Sequence, residues 1–274
     1  MVHKDIILKR LREKRAYVWT AFGILIFFLV LGAVTDRGNR LYSALGITTS
    51  GTIEVLTPHA NTQIYLNDRF AEQSREDNET VSLPNLSVGS HTIITAREGV
   101  YPWSKTIDLR ADETRILEPF MIEHRPHRET VRPGDPRFTE LTGQIREVRP
   151  PSEESPLVFP AQPIALWLED EIITAHWQGE EDASPHAFCV HAERCIDRVS
   201  LTPTDSPIRN LAFYRNRSDV VMFSSGAGIY AIEITPSGVQ NFQPVYEGTE
   251  PNFVKTGTST IAVLDDSSLF LIRP

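Results

Sequence analysis

Two histidines and two cysteines lie close together in the stretch HAFCVHAERCID, where they could bind a metal or form a covalent cross-link. His186, Cys189, His191 and Cys195 offer two imidazoles and two thiolates, which are the donors that zinc prefers. Their spacing differs from that of paired zinc knuckles, and side chains along one strand point in alternating directions. A zinc site therefore requires a backbone arrangement that this spacing does not favour.

The two cysteines alone are well placed for a disulfide. If Val190 to Arg194 form a five-residue hairpin loop, Cys189 and Cys195 become opposed neighbours at the strand ends. Opposed residues of an antiparallel pair lie roughly 4.5–5.5 Å apart, which is within the range that a disulfide tolerates. We therefore predict a Cys189–Cys195 disulfide rather than zinc, with no metal and no cofactor.

Motifs that would indicate catalysis are missing from the sequence. There is no HExxH, GxSxG, phosphate-binding GxxxxGK or helix-opening GxGxxG. The stretch SSGAG, residues 224–228, lies between two predicted strands and is therefore interpreted as a hairpin turn. The acidic pairs at 180–182 and 265–266 fall in predicted turns, where solvated carboxylates are common. We predict no catalytic residues and no enzyme activity.

The N-terminus combines a basic segment with a long apolar one. Residues 1–15 contain six Lys or Arg and two Asp or Glu, and the nineteen residues from Ala16 to Val34 contain no charge. At about 1.5 Å per residue, a helix of this length spans roughly the 30 Å hydrocarbon core of a bilayer. Tyr17 and Trp19 suit the membrane interface at the basic end. We predict a transmembrane helix over 16–34.

The charge distribution predicts the direction in which this helix crosses the membrane. Basic residues before the span place 1–15 in the cytoplasm, so the remainder lies outside the cytoplasmic membrane. A cleaved signal peptide is the alternative, but its apolar region is typically about 7–15 residues long. The whole chain carries a net charge of −9, which argues against nucleic acid as a partner. We expect an uncleaved, single-pass anchor.

The residues from 50 to 122 predict a small antiparallel β-sandwich. Short alternating stretches such as TIEVLT, TQIYLN and HTIITARE are typical of strands. Turn-prone residues separate them at intervals that suit such a fold, at Thr57-Pro58, Asn67-Asp68, 83–85 and 88–90. Gly89 and Gly99 are expected in turns or bulges, and the large Tyr101 and Trp103 are expected to pack rather than to form an exposed shelf for glycan.

This region resembles the PEGA domain, a small β-sandwich of envelope and surface-layer-associated proteins. The resemblance covers about Gly51 to Ile122. It rests on the Gly51-led strand, on Thr57-Pro58 followed by IYLND at 64–68, on LPNLSVGSHTI at 83–93, and on EGVY at 98–101. It implies a non-catalytic role in binding or organising material at the cell surface.

Residues 123–163 contain eight prolines and few consecutive apolar residues, which predicts an extended linker. Asp135 suits a helix N-cap and Pro136 the first helical position, so a short helix is expected there.

Residues 164–274 predict a second antiparallel β region. Ten strand-like stretches occur in it, and two similar hairpins, at 219–234 and 260–272, lie about 40 residues apart, a period typical of propeller blades. The stretches GIYAIEI at 228–234 and NFQPVYEG at 241–248 resemble the propeller-like C-terminal regions that accompany PEGA domains. At most three blades fit in this length, so the region is either an incomplete, blade-like sandwich or closes by pairing with another chain, and we expect the first.

These observations lead to one principal functional hypothesis and one alternative. The principal hypothesis is a non-catalytic, membrane-anchored envelope protein whose β domains bind or organise an envelope protein or a cell-surface or surface-layer glycan. The alternative is an extracytoplasmic sensor or regulatory subunit of a membrane complex. The cytoplasmic segment is only about 15 residues long, so a signal would have to pass through a partner.

Overall fold

A computed structural model describes residues 50–180, 185–191, 194–201, 206–236 and 240–274, without the side chains of His186, Val190 and His191. It is mainly β, as predicted, with mostly antiparallel sheets and one α-helix among these residues. No helix in these ranges is long and apolar enough to cross a bilayer. The predicted span, 16–34, and the predicted cytoplasmic segment, 1–15, lie outside the described residues.

The described chain divides into two compact units. The first contains residues 50–55, 80–90 and 108–117, and the second contains 56–79, 91–107 and 118–274.

The first unit is built on a three-stranded sheet with the order β4-β1-β7. Its strands are β1 (Ser50–Thr57), β4 (Glu79–Ser87) and β7 (Thr114–Leu117). Every second residue of β1 is buried, so the alternation in the sequence does mark a half-buried strand. β1 and β7 run parallel, unlike the predicted antiparallel arrangement. A parallel pair requires a long crossover, and more than fifty residues separate these two strands.

The second unit begins with a four-stranded sheet, which we call the N-terminal sheet. Its order is β3-β2-β5-β6, from β2 (Gln63–Leu66), β3 (Arg69–Gln73), β5 (Gly89–Ala96) and β6 (Trp103–Leu109). Asn67 and Asp68 join β2 to β3 with φ of 50° and 63°, the paired positive values of a type I′ hairpin turn. Gly99 has a φ of 83° in the connection before β6, as a turn glycine requires.

Three further four-stranded antiparallel sheets complete the second unit, and we number them as the first, second and third C-terminal sheets. The first has the order β14-β11-β10-β9, from β9 (Leu157–Val158), β10 (Ile164–Glu169), β11 (Ile172–Trp177) and β14 (Arg198–Leu201). The second runs β15 (Ile208–Phe213), β16 (Val220–Ser225), β17 (Gly228–Glu233) and β18 (Phe242–Glu247). The third runs β19 (Asn252–Lys255), β20 (Ile261–Asp265), β21 (Ser268–Arg273) and β8 (His127–Val131).

The segment predicted as a linker contributes secondary structure to these sheets. β8 pairs antiparallel with β21, and β9 pairs with β10. Helix α1 (Pro136–Glu147) begins where predicted, because the Asp135 side chain accepts a hydrogen bond from the Arg137 N–H and Pro136 occupies the first turn. Its Ile145 is buried in an apolar cluster that also contains Val131 of β8 and Leu269 of β21.

The first and second C-terminal sheets share a larger apolar core. Buried residues of β10, β11, β14, β15, β16 and β17 contribute to it, and examples are Leu166, Ile173, Leu211 and Phe223. A core of this size accounts for the near-continuous apolar runs in these strands.

Polar side chains join the N-terminal sheet to the second C-terminal sheet. The Gln243 side chain accepts a hydrogen bond from the Ile122 N–H and donates to the carbonyls of Pro102 and Phe120. The Asn241 amide accepts from the Ser104 N–H and donates to the Ser104 carbonyl, as a paired strand residue would.

An ion pair completes this junction. Lys105 Nζ lies 2.6 Å from Glu233 Oε1, and Asn241 donates to the other carboxylate oxygen of Glu233 at 2.6 Å. Glu233 is 5% exposed, so both of its oxygens need these partners.

Replacing Gln243 by alanine should destabilise the protein by about 3 kcal/mol, because a buried backbone N–H and two carbonyls lose their partner at a typical cost of 1–3 kcal/mol for each unsatisfied group. The free energy of unfolding in urea, measured on the detergent-solubilised chain, tests this. Gln144→Ala, on the exposed face of α1, is the matched control and should change stability by less than about 0.5 kcal/mol. Equal effects of the two substitutions would contradict the role assigned to Gln243.

Candidate functional site

The two cysteines form a disulfide, as predicted. Cys189 in β12 (Cys189–His191) and Cys195 in β13 (Arg194–Cys195) are register partners of an antiparallel pair, and their sulfur atoms are bonded. Both sulfurs are therefore unavailable as thiolate ligands for zinc. The side chains of His186 and His191 lie outside the described set. Among the described residues, no group of three or more His, Cys, Asp or Glu is arranged to hold a metal ion.

The serines of the SSGAG stretch lie at a hairpin between β16 and β17. Ser225 and Gly228 close this hairpin, and Gly226 takes a φ of 50° in its turn. The Ser224 hydroxyl pairs with the Asn252 side chain, and the Ser225 hydroxyl donates to the Ser206 carbonyl. Both hydroxyls are buried structural groups.

The Asp265 carboxylate organises a turn. It accepts hydrogen bonds from the backbone N–H groups of Thr249 and Glu250 and from the Tyr246 hydroxyl. Burial, followed by this hydrogen bond, raises the pKa of Tyr246 to about 12. The geometry assigns Asp265 to local structure.

Trp103 is 1% exposed and so packs in the interior as expected. Tyr101 is half-buried with its ring edge-on to His124, the centroids 4.4 Å apart. These two aromatics do not form an exposed shelf.

A different pair of aromatics lies on the N-terminal sheet, where Phe70 is exposed and Tyr65 is half-buried. Tyr65 of β2 and Phe70 of β3 are register partners whose rings meet edge to face at 6.0 Å, and Phe70 is 58% exposed. Single exposed apolar residues are common, but the exposed Phe70 ring is supported by Tyr65, whose ring plane is inclined at 79° to it.

Two glutamine side chains share this face because of a bulge. Gln63 pairs with Gln73, and Tyr65 pairs with Phe70, so the four residues lie on one side of the β2–β3 hairpin. Ala71 is the extra residue, since Ile64 pairs with Glu72 and Tyr65 with Phe70. Without it, Phe70 and Gln73, three positions apart on one strand, would point to opposite faces.

A polar cleft of about 630 Å³ begins beside the glutamines. It is lined by Asn61, Gln63, Gln73, Ala96, Arg97 and Glu98. Tyr65 donates to Gln63 Oε1 at 2.8 Å, and Gln73 Nε2 donates to Asn61 Oδ1 at 3.3 Å. Each of these three amides has a second polar group without a partner among the described residues. We call Tyr65, Phe70, Gln63, Gln73 and Asn61 the aromatic–amide face.

A second concave feature lies among the C-terminal sheets. A cavity of about 880 Å³ is lined by residues of β9, β15 and β19, which are terminal strands of the three sheets, and by the connection at 148–156. We call it the inner-strand cavity. Its volume is within the range of small-molecule sites.

Sequence reasoning predicted the disulfide but neither of these features. The signal available for the aromatic–amide face was the alternation QIY in β2, with Gln63 and Tyr65 on the side opposite the buried Ile64. The inner-strand cavity had no local signal, because it is formed by strands that lie far apart in the sequence.

Comparisons with known proteins do not identify a family. No family model matches the chain, and no curated protein matches it. The resemblance to the PEGA domain therefore stays a prediction. A solved structure from Bacteroides fragilis, of a proposed membrane-associated protein of unknown function, aligns with 82% of this chain and 98% of its own at 11% identity and a TM-score of 0.21. A TM-score this low carries no argument about fold or function.

Reducing the disulfide should cost the protein about 2 kcal/mol of stability, since a loop this short constrains the unfolded chain less than the roughly 15-residue loop for which about 3 kcal/mol is expected. Thermal unfolding with and without reductant measures the loss. The Cys189→Ala/Cys195→Ala double variant should unfold at the same temperature in both conditions. A wild-type protein insensitive to reductant would contradict this expectation.

Proposed function

We propose that the protein is a non-catalytic, single-pass protein of the cell envelope that binds a cell-surface glycan on the aromatic–amide face of its N-terminal sheet. The observation that carries this proposal is the exposed Phe70 ring, in contact with the half-buried Tyr65, beside a cleft lined by amide side chains.

The chemistry of a sugar matches both parts of this face. One side of a pyranose ring presents C–H groups, which can lie on an aromatic ring, while the hydroxyls around its edge need hydrogen-bond donors and acceptors. The amides of Gln63, Gln73 and Asn61 offer both. Arg97 and Glu98, which also line the cleft, can make charge-assisted hydrogen bonds to hydroxyl groups.

Three observations support a location outside the cytoplasmic membrane. Residues 16–34 are long and apolar enough to span a bilayer, and the basic residues before them favour a cytoplasmic N-terminus. The disulfide between Cys189 and Cys195 suits an oxidising compartment. The PEGA-like sequence features add an envelope role by analogy.

The C-terminal sheets support a propeller-like arrangement of residues 164–274, which is a further part of this proposal. Each sheet has four antiparallel strands. The last strand of the third sheet is β8, which precedes all strands of the first and second sheets in the chain. In this arrangement the third sheet is completed within one chain. The inner-strand cavity is the observation that favours the alternative function, a ligand sensor or regulatory subunit.

Alanine at Tyr65 or Phe70 should weaken glycan binding by about two- to tenfold each, because a contact with an aromatic ring typically contributes about 0.5–1.5 kcal/mol beyond the area that it buries. The full chain in detergent would be cosedimented with purified cell-wall sacculi and titrated with chitohexaose as a soluble probe. Tryptophan and tyrosine fluorescence report the soluble titration.

Phe242→Ala is the matched control, since Phe242 is 43% exposed but belongs to the second C-terminal sheet. This variant should bind as the wild type does. Failure of the wild type to bind either probe, or equal binding by the Tyr65 and Phe70 variants, would overturn the proposal.

A further inference from the structure

The inner-strand cavity has an unusual charge for this protein. Its charged lining residues among the described part of the chain are Arg149, Arg215 and Lys255, all cationic. The whole chain has 36 acidic and 27 basic residues, so a concave surface whose charged residues are all basic opposes the general trend. Such a surface attracts anions.

The cationic groups are held in place by backbone carbonyls. Lys255 Nζ donates to the carbonyls of Phe213 and Arg215 at 3.0 and 2.7 Å. Arg149 Nη1 donates to the carbonyls of Arg146 and Val148. None of these acceptors carries a full negative charge, so the positive charges of Lys255 and Arg149 are not neutralised by them.

The Arg215 guanidinium and the Glu153 carboxylate each have a partner of their own. Arg215 donates to the main-chain oxygen of Pro274 through both Nε and Nη2. Glu153, in the connection that lines the cavity, lies 3.7 Å from Arg198. Partial burial lowers the pKa of Lys255 from its usual value, which is the effect expected of an ammonium group without a carboxylate partner.

One part of the remaining wall of the cavity is apolar. It is formed by prolines of the 148–160 segment together with Leu157, Val158, Phe159 and Val254, while serine, threonine and asparagine side chains line the rest. Val158 is 48% exposed although it belongs to a paired strand, so its side chain is available to a ligand.

We propose that the inner-strand cavity binds an anionic amphiphile, an aliphatic chain ending in a carboxylate or phosphate group. The chain packs on Val158 and the surrounding prolines, and the anionic group pairs with Lys255 and Arg149. A volume of about 880 Å³ is sufficient for such a molecule. This site is separate from the aromatic–amide face, and its ligand is of a different chemical class.

Binding can be measured by calorimetry on the full chain in phosphatidylcholine nanodiscs, with empty nanodiscs as the blank. Decanoate and decyl phosphate are the anionic probes, and their relative affinities separate a fatty-acid ligand from a phosphate-headgroup ligand. Decyltrimethylammonium has the same chain with the opposite charge. We expect at least one of the anionic probes to bind saturably, and at least tenfold more tightly than the cationic probe.

Substitutions then locate the site. Lys255→Met and Arg149→Gln should each weaken anion binding at least tenfold, and Val158→Trp should block it by filling the cavity. Arg273→Gln, at an exposed position of β21, is the matched control and should bind normally. If Lys255→Met unfolds the protein, the affinity of the Arg149→Gln variant tests the proposal instead. This variant should fold, because Arg149 is exposed and bonded only to nearby carbonyls.

Equal binding of anionic and cationic probes would overturn the proposal, as would wild-type affinity in both Arg149→Gln and Val158→Trp. The Tyr65→Ala variant should retain amphiphile binding, so failure of this proposal and failure of the glycan proposal are distinguishable.

Discussion

The amide side chains of Gln243 and Asn241 provide the connection on which the second unit depends. They supply, from side chains, the hydrogen bonds that a neighbouring strand would supply from its backbone, at residues 102–104 and 120–122. Because the groups they satisfy are backbone donors and acceptors, substitution by apolar residues leaves those groups unpaired. Lys105 compensates the charge of the Glu233 carboxylate, and it can do so only in this arrangement.

This connection lies in the same compact unit as two surface features of different chemistry, at which we have proposed binding. The aromatic–amide face is polar and open, and the inner-strand cavity is apolar and basic. A protein held at a membrane could use the first to contact an external polymer and the second to take up an amphiphile from its surroundings. Neither feature involves the disulfide, whose short loop is a local constraint on β12 and β13.

Local sequence signals predicted the local structure, and long-range pairing explains what they missed. The turn at Asn67-Asp68, the helix start at Asp135-Pro136 and the Cys189–Cys195 disulfide each follow from residues close together in the chain, and all three are present. β8 was not predicted, because four of its five residues are exposed and its pairing partner β21 lies about 140 residues away. The parallel pairing of β1 with β7 likewise has no local signature. The bulge at Ala71 depends on hairpin register, so the sequence indicated neither it nor the aromatic–amide face that it aligns.

The central claim is that the β-rich part of the chain lies outside the cytoplasmic membrane, and cysteine labelling in intact cells tests it most directly. The chain has two cysteines, so a membrane-impermeant maleimide reports on the Cys189–Cys195 pair alone, and the double alanine variant provides the blank. We predict labelling of intact cells only after treatment with an impermeant reductant. Labelling that requires the cells to be opened would place the sheets in the cytoplasm and contradict the proposed envelope function.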